Sequence, residues 1–415
     1  MIRHIVFSIL FCLFTLNGWA QQTISAHVVD SETGEALPYV TIVVGNRFRL
    51  LSNEEGNFTL TTDQDEEVFF SRVGYEKMKL NVKELGNEIR LQPMVKSLTE
   101  ITVLPFSKDD ILKRCIEHLE NDYKNGKKKN CLYFSRTILA DEKGNEMLEA
   151  FIKSHSVVNL RSPHLISGIV SQDRYRDGHV RSTNVHHLIE LGPMVYHSPF
   201  WKYTLIPFND WDEVGSSYKV SHSTLSASDN SMIYKFDLKF TGRFPKKWEG
   251  HKSVVEGSVY IRAKDFRLLQ FDGTVRHLYL RVRESKKTYS LSKPTTLNIH
   301  IQYQYENGYA EVANLSLQGK SEDMKYRTVL FNVPDSVVSK KRGVRVGENL
   351  VKAITNAKKD SVLWANTGII QRTESEERLA FGMSSELFMK SEHPRFSPAL
   401  EQINCRSSVG TSNGR

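Results

Sequence analysis

The stretch that decides the fold is Thr23-Ile24-Ser25-Ala26-His27-Val28-Val29-Asp30, followed by Ser31-Glu32-Thr33-Gly34-Glu35-Ala36-Leu37-Pro38 and Tyr39-Val40-Thr41-Ile42-Val43-Val44. The first and third pieces alternate polar with branched apolar residues, and the middle piece is rich in turn formers. The same pattern recurs in Asn53-Glu54-Glu55-Gly56-Asn57-Phe58-Thr59-Leu60 and in Phe69-Phe70-Ser71-Arg72-Val73-Gly74-Tyr75-Glu76, and it closes with Ile89-Arg90-Leu91-Gln92-Pro93 and Leu98-Thr99-Glu100-Ile101-Thr102-Val103. Turn signals every ten residues or so, at 32–35, 45–46 and 54–57, predict about seven short strands and a β-sandwich over 23–103. Gly56 and Gly74 are expected to supply positive φ or close backbone approach. Pro38 is expected at a strand start, where a missing N–H costs little.

Thr33-Gly34-Glu35 with Leu37-Pro38, Glu55-Gly56-Asn57-Phe58, Ser71-x-Val73-Gly74-Tyr75-Glu76 and the closing Leu98 to Val103 segment together resemble the carboxypeptidase-regulatory-like domain. That family folds as a transthyretin-like sandwich. The resemblance implies an exported protein, since this domain is common at the N-terminus of Bacteroidetes envelope proteins, including TonB-dependent receptors. In those receptors a TonB plug follows; here none does, which argues against a TonB-dependent transporter.

Upstream, residues 1–20 read as a signal peptide: Arg3 and His4, then the apolar Ile5 to Leu16, then Gly18-Trp19-Ala20 with cleavage before Gln21. Cys12 follows Phe11, so no lipoprotein site is read there, and no later stretch is apolar enough for a membrane-spanning helix. The expected localisation is exported, in the periplasm or at the outer membrane. The exported chain keeps Cys115, Cys131 and Cys405. Export permits oxidation, and whether Cys115 and Cys131 pair stays open.

Downstream, Ser107 is a plausible N-cap with Asp109 and Asp110 in the first turn. Ile111, Leu112, Cys115, Ile116 and Leu119 recur at helical spacing. From 131 to about 333 the chain alternates again, as in Met232 to Phe240, Gly257 to Arg262 and Thr296 to Tyr303. Long antiparallel strands with one polar face predict a curved open sheet or half-barrel. Residues 146–152 are read as strand or short helix. Near the end, Thr373 and Glu376 form a capping box ahead of Leu379-Ala380-Phe381, and Ser407 to Arg415 read as a tail. The expected fold is mainly β, with these divisions: 1–20 signal peptide, 21–104 sandwich, 105–335 β-rich half-barrel-like domain with a leading helix, and 336–415 a helical or irregular extension.

The hairpin Gly257-Ser258-Val259-Tyr260-Ile261-Arg262 to Leu268-Leu269 is similar to the strand pairs of lipoprotein-carrier-like half-barrels. Asn121-Asp122-Tyr123 and Tyr133-Phe134-Ser135-Arg136 are loose versions of segments in the uncharacterised region that follows the regulatory-like domain in many Bacteroidetes envelope proteins. Longer relatives continue into an outer-membrane barrel, so the resemblance implies either a short subgroup or a truncated chain.

The net charge of +8 comes from scattered Lys/Arg clusters. Behind an export signal these favour anionic lipid or polysaccharide over nucleic acid. His187-Leu188-Ile189-Glu190, with His300 at a distance, matches the short His-x-x-Glu motif of zinc peptidases. These are weak metal candidates, because one such His-x-x-Glu is expected by chance, and no cofactor is expected. Asp173, Asp210, Asp212 and Glu213 are the carboxylates that a glycosidase reading would use. Tyr196, Trp201, Tyr203 and Trp211 are candidate stacking residues for a sugar or a membrane interface. The expected function is a non-enzymatic binding or assembly module of the cell envelope, at the periplasmic face of the outer membrane. Its partner would be an envelope protein, a lipid or a glycan. The alternatives are a metal-dependent carboxypeptidase or glycan hydrolase, and the remnant of an outer-membrane barrel protein. If the sheet holds an acyl chain or a partner strand, its inward face should be continuously apolar and exposed.

Overall fold

The computed structural model describes residues 22–45, 48–62, 66–96, 106–126, 129–141, 144–157, 159–173, 181–183, 211–243, 246, 254–278, 281–284, 287–290, 295–305, 308–321, 324–333, 343–345, 353–354, 364 and 369–381.

The first unit is a two-sheet sandwich. One sheet has the order β4-β1-β7, with β1 Gln22–Asp30, β4 Asn57–Thr62 and β7 Glu88–Leu91. The other has the order β3-β2-β5-β6, with β2 Thr41–Val44, β3 Phe48–Leu51, β5 Glu67–Ser71 and β6 Met78–Asn81. Alternation puts Val28, Ile42, Phe58, Phe70 and Leu91 into one shared core. Gly56 (φ +77) and Gly74 (φ +88) adopt the left-handed backbone. At Gly56 a Cβ would also lie 2.6 Å from the Val28 carbonyl oxygen, so no other residue fits there unstrained. Pro38 lies in the turn before β2 rather than at the strand start, and it is followed by Tyr39 at φ +58. The turn after β1 is held by Asp30, which accepts from the Glu32 and Thr33 amides and from the Tyr75 hydroxyl.

The strand β8 (Val95–Lys96) carries the chain out of the sandwich and onto the edge of a second, 12-stranded sheet. That sheet comprises β9 (Lys129–Asp141), β10 (Gly144–Val157), β11 (Asn159–Asp173), β13 (Tyr218–Ser226), β14 (Met232–Phe240), β15 (Val254–Arg262), β16 (Leu268–Leu278), β19 (Thr295–Gln304), β20 (Glu311–Ser321), β21 (Met324–Val333) and β22 (Val344–Arg345). Its order is β22-β11-β10-β9-β21-β20-β19-β16-β15-β14-β13-β8, open at both ends and not closed into a barrel. A small ribbon of β12 (Arg181–Thr183), β17 (Arg281–Glu284) and β18 (Lys287–Ser290) stands apart. Residues 146–152 are strand, paired on both sides to β9 and β11.

β19 shows why this sheet has two unlike faces. Leu297, Ile299, Ile301 and Tyr303 point one way, and Asn298, His300, Gln302 and Gln304 the other. The apolar side joins Phe236, Val259, Phe271, Leu317 and Leu330 in one core, and helix α1 (Lys108–Asn125) fills it with Ile111, Leu112, Cys115 and Leu119. Ser107 caps α1 by accepting from the Asp110 amide. Asp122 anchors the far end on the Ala310 amide at 2.9 Å. The inward face is therefore continuously apolar, as the alternation predicts, but it is not exposed: α1 buries it, because its own apolar stripe needs the same surface. Cys115 and Cys131 both lie in this core and are not joined by a disulfide.

Candidate functional site on the polar face of the large sheet

Antiparallel pairing aligns the polar-face side chains in cross-strand rows, and each row has its own chemistry. The first runs Asn145, Ala140, Lys325, Lys320, Thr296; the second runs Met147, Ile138, Arg327, Gln318, Asn298. The third runs Glu149, Arg136, Val329, Ser316, His300, Asp272, and the fourth Phe151, Phe134, Phe331, Asn314, Gln302, Gln270.

Over one half of this face lies the C-terminal segment. Trp364 packs edge-on against Phe151 (5.1 Å), which packs likewise against Phe134 (5.5 Å). Ile369 and Ile370 extend that patch, and Leu51 of the sandwich joins it. Beside it sits a buried knot of charges. Arg136 donates to Glu149 (2.9 Å), to Glu376 (3.0 Å) and to the Ile370 carbonyl (2.9 Å). Arg372 pairs with Glu149, and Arg327 pairs with both Glu376 and Glu54. Burial would raise the Glu149 carboxyl pKa, but the Arg136 and Arg372 guanidiniums outweigh it and hold the group below the usual carboxylate range. Thr373 and Glu376 form the capping box of helix α2 (Glu374–Phe381): the Thr373 amide donates to Glu376 and the Glu376 amide to Thr373. Glu376 thus both starts α2 and pins it to the sheet.

Over the middle of the face lies the sandwich. Tyr39 stacks on His300 (ring centroids 5.8 Å apart), accepts from Ser316 at 3.1 Å and donates to Glu54. Arg49 donates to Gln304, and Glu76 accepts from Ser228 in the β13–β14 turn. His300 Nδ1 lies 2.5 Å from Asp272 Oδ1. Burial raises the Asp272 carboxyl, and the His300 contact overrides it, leaving the group lowered. Four buried polar atoms of this seam, His300 Nε2, Gln270 Oε1, Asn314 Oδ1 and Arg72 Nη1, have no hydrogen-bond partner among the described residues. The seam is polar, in the manner of interfaces that open and close rather than fuse.

Where the first two rows emerge beyond the sandwich, α2 and the strands enclose a cleft of about 690 Å³. Ser375, Glu376 and Leu379 form its wall. Its size is that of ordinary small-ligand sites.

Of the residues singled out in the sequence, His300 belongs to the interdomain seam. His187, Glu190, Tyr196, Trp201 and Tyr203 lie outside the described residues, as does Asp210. Among the described residues no group of three His, Cys, Asp or Glu side chains is arranged to hold a metal ion. Trp211 is buried, donates to Asp109 at 3.0 Å and packs against Tyr218. Its indole is a core contact and not an exposed stacking platform, because the start of α1 covers it. Asp212 pairs with Lys113 on the helix surface. No helix among the described residues is long and apolar enough to cross a membrane.

Comparison with known families fits this picture at the N-terminus. Residues 24–103 match the CarboxypepD_reg-like domain family, so the sandwich is a carboxypeptidase-regulatory-like domain. No curated protein matches the chain. Among solved structures, one titled "Crystal structure of MucB in complex with MucA(peri)" aligns over 55% of this chain and 94% of its own, at 8% identity and a TM-score of 0.17.

Proposed function

We propose that this chain is a non-enzymatic, exported module of the cell envelope that binds or assembles with a partner through the polar face of its large sheet, at the periplasmic side of the outer membrane. The observation that carries the reading is the arrangement of that face. The regulatory-like domain and α2 are both docked on it through named polar contacts, and between α2 and the strands a cleft stays open. The opposite face is already filled by α1. A regulatory-like domain at residues 24–103 fits a non-catalytic role. The signal-like residues 1–20 and the +8 charge support export and a partner from among anionic envelope components, whether protein, lipid or glycan.

The test is fractionation of cells producing the full chain with a C-terminal tag. The expected result is a processed chain, shortened by about 20 residues as signal cleavage predicts, recovered with the outer-membrane fraction and released by high salt. An unprocessed chain in the cytoplasmic fraction overturns the reading.

A further inference from the structure

We infer that the cleft between α2 and strands β9, β10, β19, β20 and β21 binds an acidic sugar, a glycan unit carrying a carboxylate or phosphate. This rests on the reading of the chain as an envelope-binding module and names its ligand class.

Lys320 and Lys325 are direct cross-strand partners on adjacent strands, and both line the cleft. Like charges placed directly opposite in a sheet repel, so the native register concentrates positive charge at one spot. An anion seated between them makes two charge-assisted contacts. Arg327, beside them, is held by Glu54 and Glu376 and fixes the wall of the cleft. The lysines supply charge, and the rows beneath supply shape. Asn145, Asn298 and Gln318 bring planar amides, each able to donate and accept at once, and Thr296 adds a hydroxyl. Adjacent hydroxyls of a pyranose ask for that mixture of donors and acceptors, and a bare inorganic anion does not. Ile138, Ala140 and Leu379 make an apolar strip along the same cleft, suited to the C–H face of a sugar ring. An acyl chain would leave the amides unsatisfied, at a cost in desolvation.

The experiment is calorimetric titration of the full purified chain with a panel of uronic-acid and phosphorylated oligosaccharides. Neutral maltohexaose, inorganic phosphate and vesicles of anionic phospholipid are the controls. At least one acidic oligosaccharide is expected to bind, with affinity falling as salt rises. The Lys320→Gln/Lys325→Gln variant should bind it at least tenfold more weakly while keeping the wild-type melting temperature, because both side chains are exposed. Asn298→Ala should weaken sugar binding without creating phosphate binding. The inference is overturned if no acidic oligosaccharide binds, if maltohexaose binds as well as the acidic members, or if the double-lysine variant binds normally. It is also overturned if inorganic phosphate or lipid vesicles compete on equal terms with the sugar. None of these outcomes alters the fractionation result, so the ligand class and the envelope assignment fail separately.

Discussion

The two faces of the large sheet solve opposite problems with the same strands. On the apolar face, Phe236, Phe271, Leu297 and Ile301 are closed off by α1, a helix that lies between β8 and β9 in sequence. On the polar face, the cover comes from both ends of the chain: the sandwich from the N-terminal side, and Trp364 with α2 from the C-terminal side. The first face is held by area and shape, which tolerate no partial opening. The second is held by ion pairs, hydrogen bonds and one apolar patch around Trp364, and it leaves a cleft beside them. Under the proposed function, binding falls to the polar face and stability to the apolar one.

Substitutions on opposite faces of the sheet break the comparison most directly. Phe271→Ala, on the apolar face, should destabilise the chain by about 3–5 kcal/mol. Asn298→Ala, exposed on the polar face, should stay within about 0.5 kcal/mol of wild type. Both are read from urea unfolding. Equal costs would mean that α1 does not seal the apolar face.

The charge knot is the exception on the polar face. Glu149→Gln leaves Arg136 and Arg372 buried without their shared carboxylate, and should cost about 3 kcal/mol. Because the folded Glu149 carboxyl lies below its unfolded value, its contribution is fully present above about pH 4.3 and is lost as pH falls through the folded value. Melting temperatures of the wild type should therefore drop in acid more steeply than those of Glu149→Gln. Parallel curves would show that the knot does not couple to folding.

Much of this was legible in the sequence, and the limits have physical reasons. The sandwich could be read because its turns carry Gly34, Gly56 and Gly74, whose roles are local. The caps at Ser107 and Thr373 could be read for the same reason: each bond closes within three residues. The knot could not. Arg136 and Glu149 meet only when β9 and β10 pair in one register, and Arg372 and Glu376 arrive from more than 200 residues away. Lys320 and Lys325 face one another only because β20 and β21 pair in this register. The aromatic residues of 196–211 carried a strong compositional signal, and the one described member, Trp211, is core. Composition alone does not distinguish a ring that binds from a ring that packs.

A smaller effect probes the seam between sandwich and sheet. Tyr39→Phe removes one hydroxyl that bridges Ser316 and Glu54, and should cost about 1 kcal/mol. The readout is hydrogen exchange. Amides of β2 and β3 should exchange faster in the variant, while those of β19 and β20 keep wild-type protection. Uniform acceleration across both units would mean that the sandwich and the sheet unfold together rather than part at a polar seam.

The subtlest prediction is a reaction that should not happen. Cys115 sits on α1 against the apolar face, and burial pushes its thiol well above the ordinary range. A buried, protonated thiol is a poor nucleophile. Iodoacetamide should leave Cys115 unmodified in the native protein and modify it fully in urea, as read by peptide mass spectrometry. If α1 instead swings away to admit an acyl chain, Cys115 should label in native buffer at the rate of that opening, and added fatty acid should raise the rate. That pattern would move the binding surface from the polar face to the apolar one. Protection unaffected by fatty acid leaves the apolar face as a sealed core.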